Sequence, residues 1–208
     1  MARFISSVCM LAFVLVVPAC GNGQNGQDAQ DAQEDWRLYQ FQAGEYFRYE
    51  FTQIDGGETN RGSYSLAIEP AGQGRLKMSV EGKMGEAECS ASATTESAQA
   101  FPPQLMMGCA TIGPVMMAFA LPAWGWFMGR TWQMGDEWSM SQGGESFSFR
   151  IERECSYAGQ KGTLAVVRTN GEVHLQSCVS RRMALPLMVM LREDDGESIE
   201  LKLVEYRR

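Results

Sequence analysis

The chain has 208 residues, of which 45% are hydrophobic and 21% are charged, and its formal net charge is -7 at pH 7. This much apolar material excludes an intrinsically disordered chain, and the acidic balance argues against a nucleic-acid partner. A single histidine, His174, excludes metal sites built from several histidines.

The first 19 residues have the composition of an export signal, with Arg3 ahead of an uncharged, mostly apolar run that is too short for a stable transmembrane helix. The run ends in Val17-Pro18-Ala19-Cys20, which resembles the lipobox of bacterial lipoproteins, although Pro18 departs from the small or aliphatic residue usual there. The resemblance implies cleavage before Cys20 and acylation of its sulfur, palmitate being a typical chain. The alternative is a plain signal peptide that leaves Cys20 as a free thiol.

Residues 20–35 are predicted to be a flexible, lipid-anchored tether. After the cysteine the stretch contains four acidic residues, no basic residue and no apolar face. In the lipoproteins that the chain resembles, an aspartate directly after the cysteine favours the inner membrane, and this position is Gly21. The resemblance therefore implies anchoring in the outer membrane, facing the periplasm. Residues 36–208 are expected to form one domain.

The first half of that domain, about residues 36–97, alternates apolar and polar residues with a period close to two. Glycine-containing turns at 55–58 and 71–74 separate the alternating runs and supply positive φ for tight hairpins. The pattern predicts antiparallel strands with one buried and one solvent-facing side. The alternating apolar positions are Phe47, Tyr49, Phe51, Tyr64, Leu66, Ile68, Leu76, Met78 and Val80.

An uncharged, apolar insert at about residues 98–129 interrupts the alternation. It contains four prolines and four glycines, which argue against a membrane-spanning helix of about 20 residues. We expect either short helices that complete the core or a lid, residues 101–129, over an apolar cavity. Flexible methionines suit a surface that repacks around varied apolar guests. The candidate ligand-contacting residues of such a lid are Met106, Met107, Met116, Met117, Phe119, Trp124, Trp126 and Phe127.

The second half, about residues 130–208, returns to the two-residue period, and Asn170-Gly171 and Asp195-Gly196 are strong hairpin signals. The two halves match in order. Gly44-Glu45 corresponds to Gly135-Asp136, residues 63–69 correspond to 146–152, and Cys89 corresponds to Cys178. The matches predict a duplicated four-stranded meander, with chance convergence as the alternative. The predicted fold is all-β and antiparallel, with the halves forming a barrel or sandwich.

Four cysteines, an even number, remain in the predicted domain, and disulfides persist outside the cytoplasm. We favour Cys89 with Cys109 and Cys155 with Cys178, because each pair lies within one half and closes the shorter loop. In a flat meander Cys155 and Cys178 would lie about 10 Å apart, so their bridge requires strong curvature or a bulge.

The remaining polar residues show little sign of a catalytic or metal-binding site. His174 alternates onto the solvent-facing side of its strand, and the chain has no G-x-S-x-G motif. Residues 193–197 are acidic but lack the alternating ligands of a calcium-binding loop. Methionines near Cys109 offer ligands for cuprous copper, although their spacing matches no metal motif that we recognise. We expect no catalytic centre, no cofactor and no metal.

Two functional hypotheses follow. In the first, the protein is a lipid-anchored envelope module whose β domain binds another envelope component without catalysis. In the second, it carries or senses an apolar ligand such as an acyl chain beneath the lid. The expected partners are a membrane, reached through the lipid on Cys20, and either an envelope protein or an apolar small molecule, and nucleic acid is not expected.

Overall fold

The computed structural model describes residues 40–96, 102–109, 133–193 and 195–208. The predicted signal peptide and tether lie outside these residues, as does most of the apolar insert. Among the described residues, no helix has the length and apolar character needed to cross a membrane. The elements are β1 (Tyr46–Asp55), β2 (Glu58–Pro70), β3 (Leu76–Met84), β4 (Ala87–Thr95), α1 (Pro103–Gly108), β5 (Glu137–Gln142), β6 (Glu145–Tyr157), β7 (Gln160–Thr169), β8 (Glu172–Val179), β9 (Met188–Arg192) and β10 (Ser198–Arg207).

The strands form one antiparallel sheet in the order β4-β3-β2-β1-β10-β9-β8-β7-β6-β5. The predicted all-β, antiparallel fold is therefore confirmed. The two halves do not form separate sheets, because β9 and β10 of the second half continue the sheet from β8, and β10 pairs with β1 of the first half. β4 and β5 are the two ends of the strand order, so the sheet is not closed into a barrel.

One face of the sheet, which we call the inner face, carries buried apolar residues from both halves. Residues paired directly across antiparallel strands lie on the same face, so the strand registers can be followed from one half to the other. Almost all the side chains of the row traced here are buried. Val189, Leu201 and Phe51 belong to the main core cluster, and Ile151 and Ala165 belong to a second, smaller one. The opposite face is also buried at β7 and β8, where Leu164, Val166 and Cys178 are part of the main cluster. The row runs through Ile151, Ala165, Ser177, Val189, Leu201, Phe51, Gly62 and Met84.

The segment before β1 forms a turn tied to the end of β2. The carboxylate of Glu45 accepts a hydrogen bond of 2.8 Å from the backbone N–H of Gln42. The N–H of Gly44 donates to the carbonyl of Ile68 at 2.8 Å, and the N–H of Ile68 donates to the carbonyl of Glu45 at 2.9 Å. Gly44 has φ of 94°, a conformation that costs glycine little.

The same turn recurs before β5. Asp136 accepts from the N–H of Gln133 at 2.8 Å, Gly135 donates to Ile151 at 2.9 Å, and Ile151 donates to Asp136 at 2.9 Å. The φ of Gly135 is 89°. Positions that match in sequence therefore adopt the same local structure in both halves, as a duplication predicts.

The short helix α1 packs against β4. Leu105 is fully buried, and a Cβ added to Gly108 would lie 2.5 Å from the Cβ of Ala91 on β4. Only small residues permit so close an approach. The described part of the insert thus contributes to the core rather than standing apart from it.

Candidate functional site

The solvent-facing side of β1–β4 forms a groove with a volume of about 600 Å³. We call it the β2 groove, because it follows β2, and we define it by Tyr46, Arg48, Ser63, Ser65, Glu81, Lys83, Glu88 and Ser90, which all contribute to its lining.

The groove follows from side-chain size along a cross-strand row. Ser65 pairs with Arg48 on one side and with Glu81 on the other. Neighbouring strands lie about 4.8 Å apart, so the long side chains of β1 and β3 stand about 10 Å from each other across the serine. Ser63 continues this floor beside Lys83. The groove thus results from small serines on β2 and long charged residues on its neighbours β1 and β3.

The charged groups of the groove balance. Arg48 and Lys83 contribute two positive charges, and Glu81 and Glu88 contribute two negative charges. Lys83 and Glu88 form an ion pair of 2.8 Å. Their hydrogen bond, and then their mutual charge, lowers the pKa of Glu88 and raises the pKa of Lys83. This pair is exposed, so it contributes little to stability.

Arg48 and Glu81 face each other across Ser65 without pairing. Within the described part of the chain, neither residue has an ion-pair partner. The guanidinium offers a planar set of donors and the carboxylate offers two acceptor oxygens. The centre of the groove therefore presents a donor and an acceptor, separated by a hydroxyl, to whatever enters it.

The aromatic ring of Tyr46 contributes to the lining of the groove. The guanidinium carbon of Arg207 on β10 lies 4.3 Å from the ring centroid of Tyr46. Arg207 in turn pairs with Glu205 at 2.9 Å. A cation over an aromatic face is favourable, and here it limits the freedom of the ring.

The four cysteines lie in two pairs at disulfide distance, and these are the pairs that we favoured from the sequence. The Cα atoms of Cys89 and Cys109 are 5.3 Å apart, and those of Cys155 and Cys178 are 6.2 Å apart. The first bridge joins β4 to the end of α1, and the second joins β6 to β8 across β7.

A β-bulge makes the second bridge geometrically feasible. The β6–β7 register shifts between Ile151 and Arg153, so Cys155 pairs with Gly162 and lies on the opposite face from Ile151. Cys178 pairs with Leu164, which is on that same opposite face. Without the extra residue in β6, the two cysteines would lie on different faces of the sheet.

Gly162, between the two bridged strands, is also required by space. A Cβ at this position would lie 2.5 Å from the carbonyl oxygen of Val179 and 3.0 Å from a methyl carbon of Leu187. Val179 and Leu187 therefore lie closer to β7 than a side chain at position 162 would permit.

The predicted lid residues are largely beyond the described chain. Met106 and Met107 belong to α1, and nothing is described of their side chains. The other six lie outside the described residues, namely Met116, Met117, Phe119, Trp124, Trp126 and Phe127. Cys20 also lies outside them. The lid formed by residues 101–129 and the acylation of Cys20 therefore remain predictions.

Apolar side chains become accessible at the β5 end of the inner face. Trp138 stacks on Phe149 with ring centroids 3.8 Å apart. Nearby in sequence, Met134 and Met140 are exposed at 52% and 55%. Phe149 itself is buried, so the apolar face passes from core to surface over one strand.

The acidic hairpin tip between β9 and β10 brings Glu193, Asp195 and Glu197 together, with their carboxylate oxygens within 4.8 Å of one another. Local desolvation, followed by the charges of Asp195 and Asp55, raises the pKa of Glu197. Asp195 is exposed, and Glu193 and Glu197 are half-buried.

The β2 groove was not anticipated from the sequence. The alternation places Arg48, Ser65 and Glu81 on the solvent-facing side, but it does not state which strands are neighbours. A run of small polar residues at alternate positions of β2, beside strands with long charged residues, is the one sequence signal that indicates a groove. His174 lies on β8, outside the groove.

No family model matches the chain, and no curated protein matches it. Solved structures with some similarity include a Bacteroides fragilis protein described as exported with a YmcC-like fold, at 10% identity, a TM-score of 0.37, and coverage of 82% of this chain and 99% of that one. A β-barrel-like domain of unknown function from Brucella abortus has 8% identity and a TM-score of 0.34, covering 81% and 99%. A protein of Parabacteroides distasonis described as a lipoprotein has 9% identity and a TM-score of 0.32, covering 84% and 100%. Similarity at this level does not identify a function.

Proposed function

We propose that this protein is a lipid-anchored component of the bacterial envelope, held in the outer membrane through Cys20, and that its β domain binds another envelope component without catalysis. The anchor is supported by the apolar leader, the lipobox-like Val17-Pro18-Ala19-Cys20 and the polar stretch that follows. Two cysteine pairs at disulfide distance agree with an oxidising compartment.

The observation that carries the binding function is the β2 groove. Its floor of serines lies between Arg48 and Glu81 on the solvent-facing side of the sheet. These two residues have opposite charges and, among the described residues, no ion-pair partner. A solvated strand surface needs no such depression for stability. The groove and the 16-residue stretch from Cys20 to Asp35 together suit a protein that reaches a partner while it stays attached to a membrane.

The anchor is tested by the Cys20→Ser variant of the full chain. We expect the wild-type chain to fractionate with membranes and to incorporate a clickable palmitate analogue, and the variant to lose both properties. Membrane retention and labelling that persist in the variant would contradict the anchor.

The binding face is tested by photo-crosslinking in cells. A photoreactive amino acid at position 65 lies in the groove, and the same replacement at Ser148 occupies the matching position in the other half of the chain. We expect discrete adducts to envelope material from position 65 and none from position 148. Equal adducts at both positions, or none at position 65, would contradict the groove as the binding face.

The second candidate function is the carrying of an apolar ligand, with residues 101–129 as lid. The exposed Met140 favours it, because it lies on the same face of β5 as Trp138, which stacks on Phe149, and so extends the apolar inner face to the surface. Organic extraction of the purified full chain, followed by mass spectrometry, discriminates the two candidates. Co-purified lipid beyond the acyl chains on Cys20, lost in a Met140→Glu variant, would favour the carrier.

A further inference from the structure

We infer that the β2 groove binds a neutral saccharide chain. The inference rests on the proposed function, because it names the ligand class of the same surface. Three features of the groove carry it: the position of β2 within the sheet, the chemistry of the lining and the balance of charge.

β2 is an interior strand, paired with β1 over residues 58–67 and with β3 over residues 62–70, so Ser63 and Ser65 have a neighbouring strand on both sides. Its backbone N–H and C=O groups are therefore largely used in the sheet. An extended peptide gains affinity chiefly by adding a strand to a free sheet edge, where main-chain groups are available. In the β2 groove, a ligand has mainly side chains to bind. This favours a ligand that is itself dense in hydroxyl groups.

The lining matches such a ligand. A hydroxyl group both donates and accepts, as do Ser63, Ser65 and Ser90. The carboxylate of Glu81 can accept from two neighbouring hydroxyls, and the planar guanidinium of Arg48 can donate to two neighbouring oxygens. Tyr46, held by Arg207, supplies an aromatic surface in the lining of the groove. The volume of the groove, about 600 Å³, lies within the range of about 300–1,000 Å³ that is typical of small-molecule sites.

The balance of two positive and two negative residues favours a neutral chain. Phosphorylated or sulfated ligands are attracted by an excess of positive charge, which this surface lacks. Lys83 is in addition already paired with Glu88. The charged side chains thus act as directional hydrogen-bonding partners for the ligand and do not create a net potential that attracts an ion.

The test measures binding of the full chain, purified from membranes in detergent, to an array of neutral oligosaccharides that includes chito-, cello- and manno-oligosaccharides. The same array carries sulfated glycans and extended peptides. We expect binding to at least one neutral series. Ser65→Gln, which fills the floor without changing the charge, should weaken it about tenfold or more, as should Arg48→Ala, the loss expected for a charged hydrogen bond.

The matched control is Ser148→Gln, the same substitution at the corresponding position of the second half, which should bind as the wild type does. Circular dichroism and thermal melting establish that each variant is folded. Absence of binding to every neutral series, or unchanged binding by a folded Ser65→Gln variant, would overturn the saccharide assignment. Preference for peptides or sulfated glycans would overturn it too but leave the proposed binding face intact, whereas failure of crosslinking at position 65 would remove the proposed function itself.

Discussion

The hydroxyl of Tyr49 donates a hydrogen bond of 2.8 Å to the carbonyl oxygen of Pro186, which lies 137 residues farther along the chain. Tyr49 is fully buried on β1, and Pro186 belongs to the loop between β8 and β9. The bond thus ties the first half of the chain to the β8–β9 loop of the second half.

Replacing Tyr49 with phenylalanine should therefore destabilise the protein. The ring remains in place, but the buried carbonyl of Pro186 loses its donor, a change that costs about 1–3 kcal/mol. Urea unfolding followed by tryptophan fluorescence measures the loss. Tyr46→Phe on the exposed side of the same strand is the control and should change stability by less than about 0.5 kcal/mol. Equal stability of the Tyr49→Phe variant and the wild type would contradict this role for the bond.

The buried phenols predict a loss of stability at alkaline pH. Burial raises the pKa of both Tyr49 and Tyr64, and neighbouring charges add to the shift at Tyr49. Unfolded tyrosine ionises near about pH 10. Above this pH the tyrosines of the unfolded chain lose their protons, whereas the buried tyrosines of the folded chain keep theirs. Raising the pH therefore favours the unfolded state, and the free energy of unfolding should fall above about pH 10.

Tyrosinate absorbance recorded together with circular dichroism tests this expectation. The last phenols should ionise only as the sheet unfolds, and a Tyr49→Phe/Tyr64→Phe double variant should lose less stability per pH unit. Ionisation of all the tyrosines while the fold is intact would show that these two are accessible.

The repeated turns allow a comparison within one molecule. Glu45 is buried and accepts from both the Gln42 N–H and the Tyr206 hydroxyl, the latter at 2.9 Å. Asp136, its counterpart, accepts from Gln133 in an exposed setting. Glu45→Ala should cost about 1–3 kcal/mol, because two partly buried donors lose their acceptor, and Asp136→Ala should cost less than about 1 kcal/mol. Equilibrium unfolding of both variants measures the two losses of stability. A larger loss for Asp136→Ala than for Glu45→Ala would contradict this expectation.

The bridge between β6 and β8 should stabilise the fold. Its loop spans 23 residues, and removal of a bridge of this span costs about 3 kcal/mol in the chain-entropy model. A Cys155→Ser/Cys178→Ser double variant should therefore unfold at lower denaturant concentration. Non-reducing peptide mapping of the wild type should recover Cys155 with Cys178 and Cys89 with Cys109, and a Cys109–Cys155 peptide would contradict both assignments.

Several features of the fold could be predicted because they depend on local spacing. A period of two placed Phe47, Tyr49 and Phe51 on one face, and all three are buried. The hairpin signal at Asp195-Gly196 predicted a strand after it, and Ile199, Leu201 and Leu203 of β10 do alternate and are buried. The pairing of β10 with β1 could not be predicted, because β1 is distant in sequence.

The sequence alone determined the strand alternation and the resemblance between the halves, because each depends on short runs of residues. The tertiary structure decided which strands adjoin, which face Cys155 occupies after the bulge in β6, and that Arg48, Ser65 and Glu81 form one row. These outcomes depend on register and on sheet coiling, where one added residue reverses a face and the contacts are made across long stretches of chain.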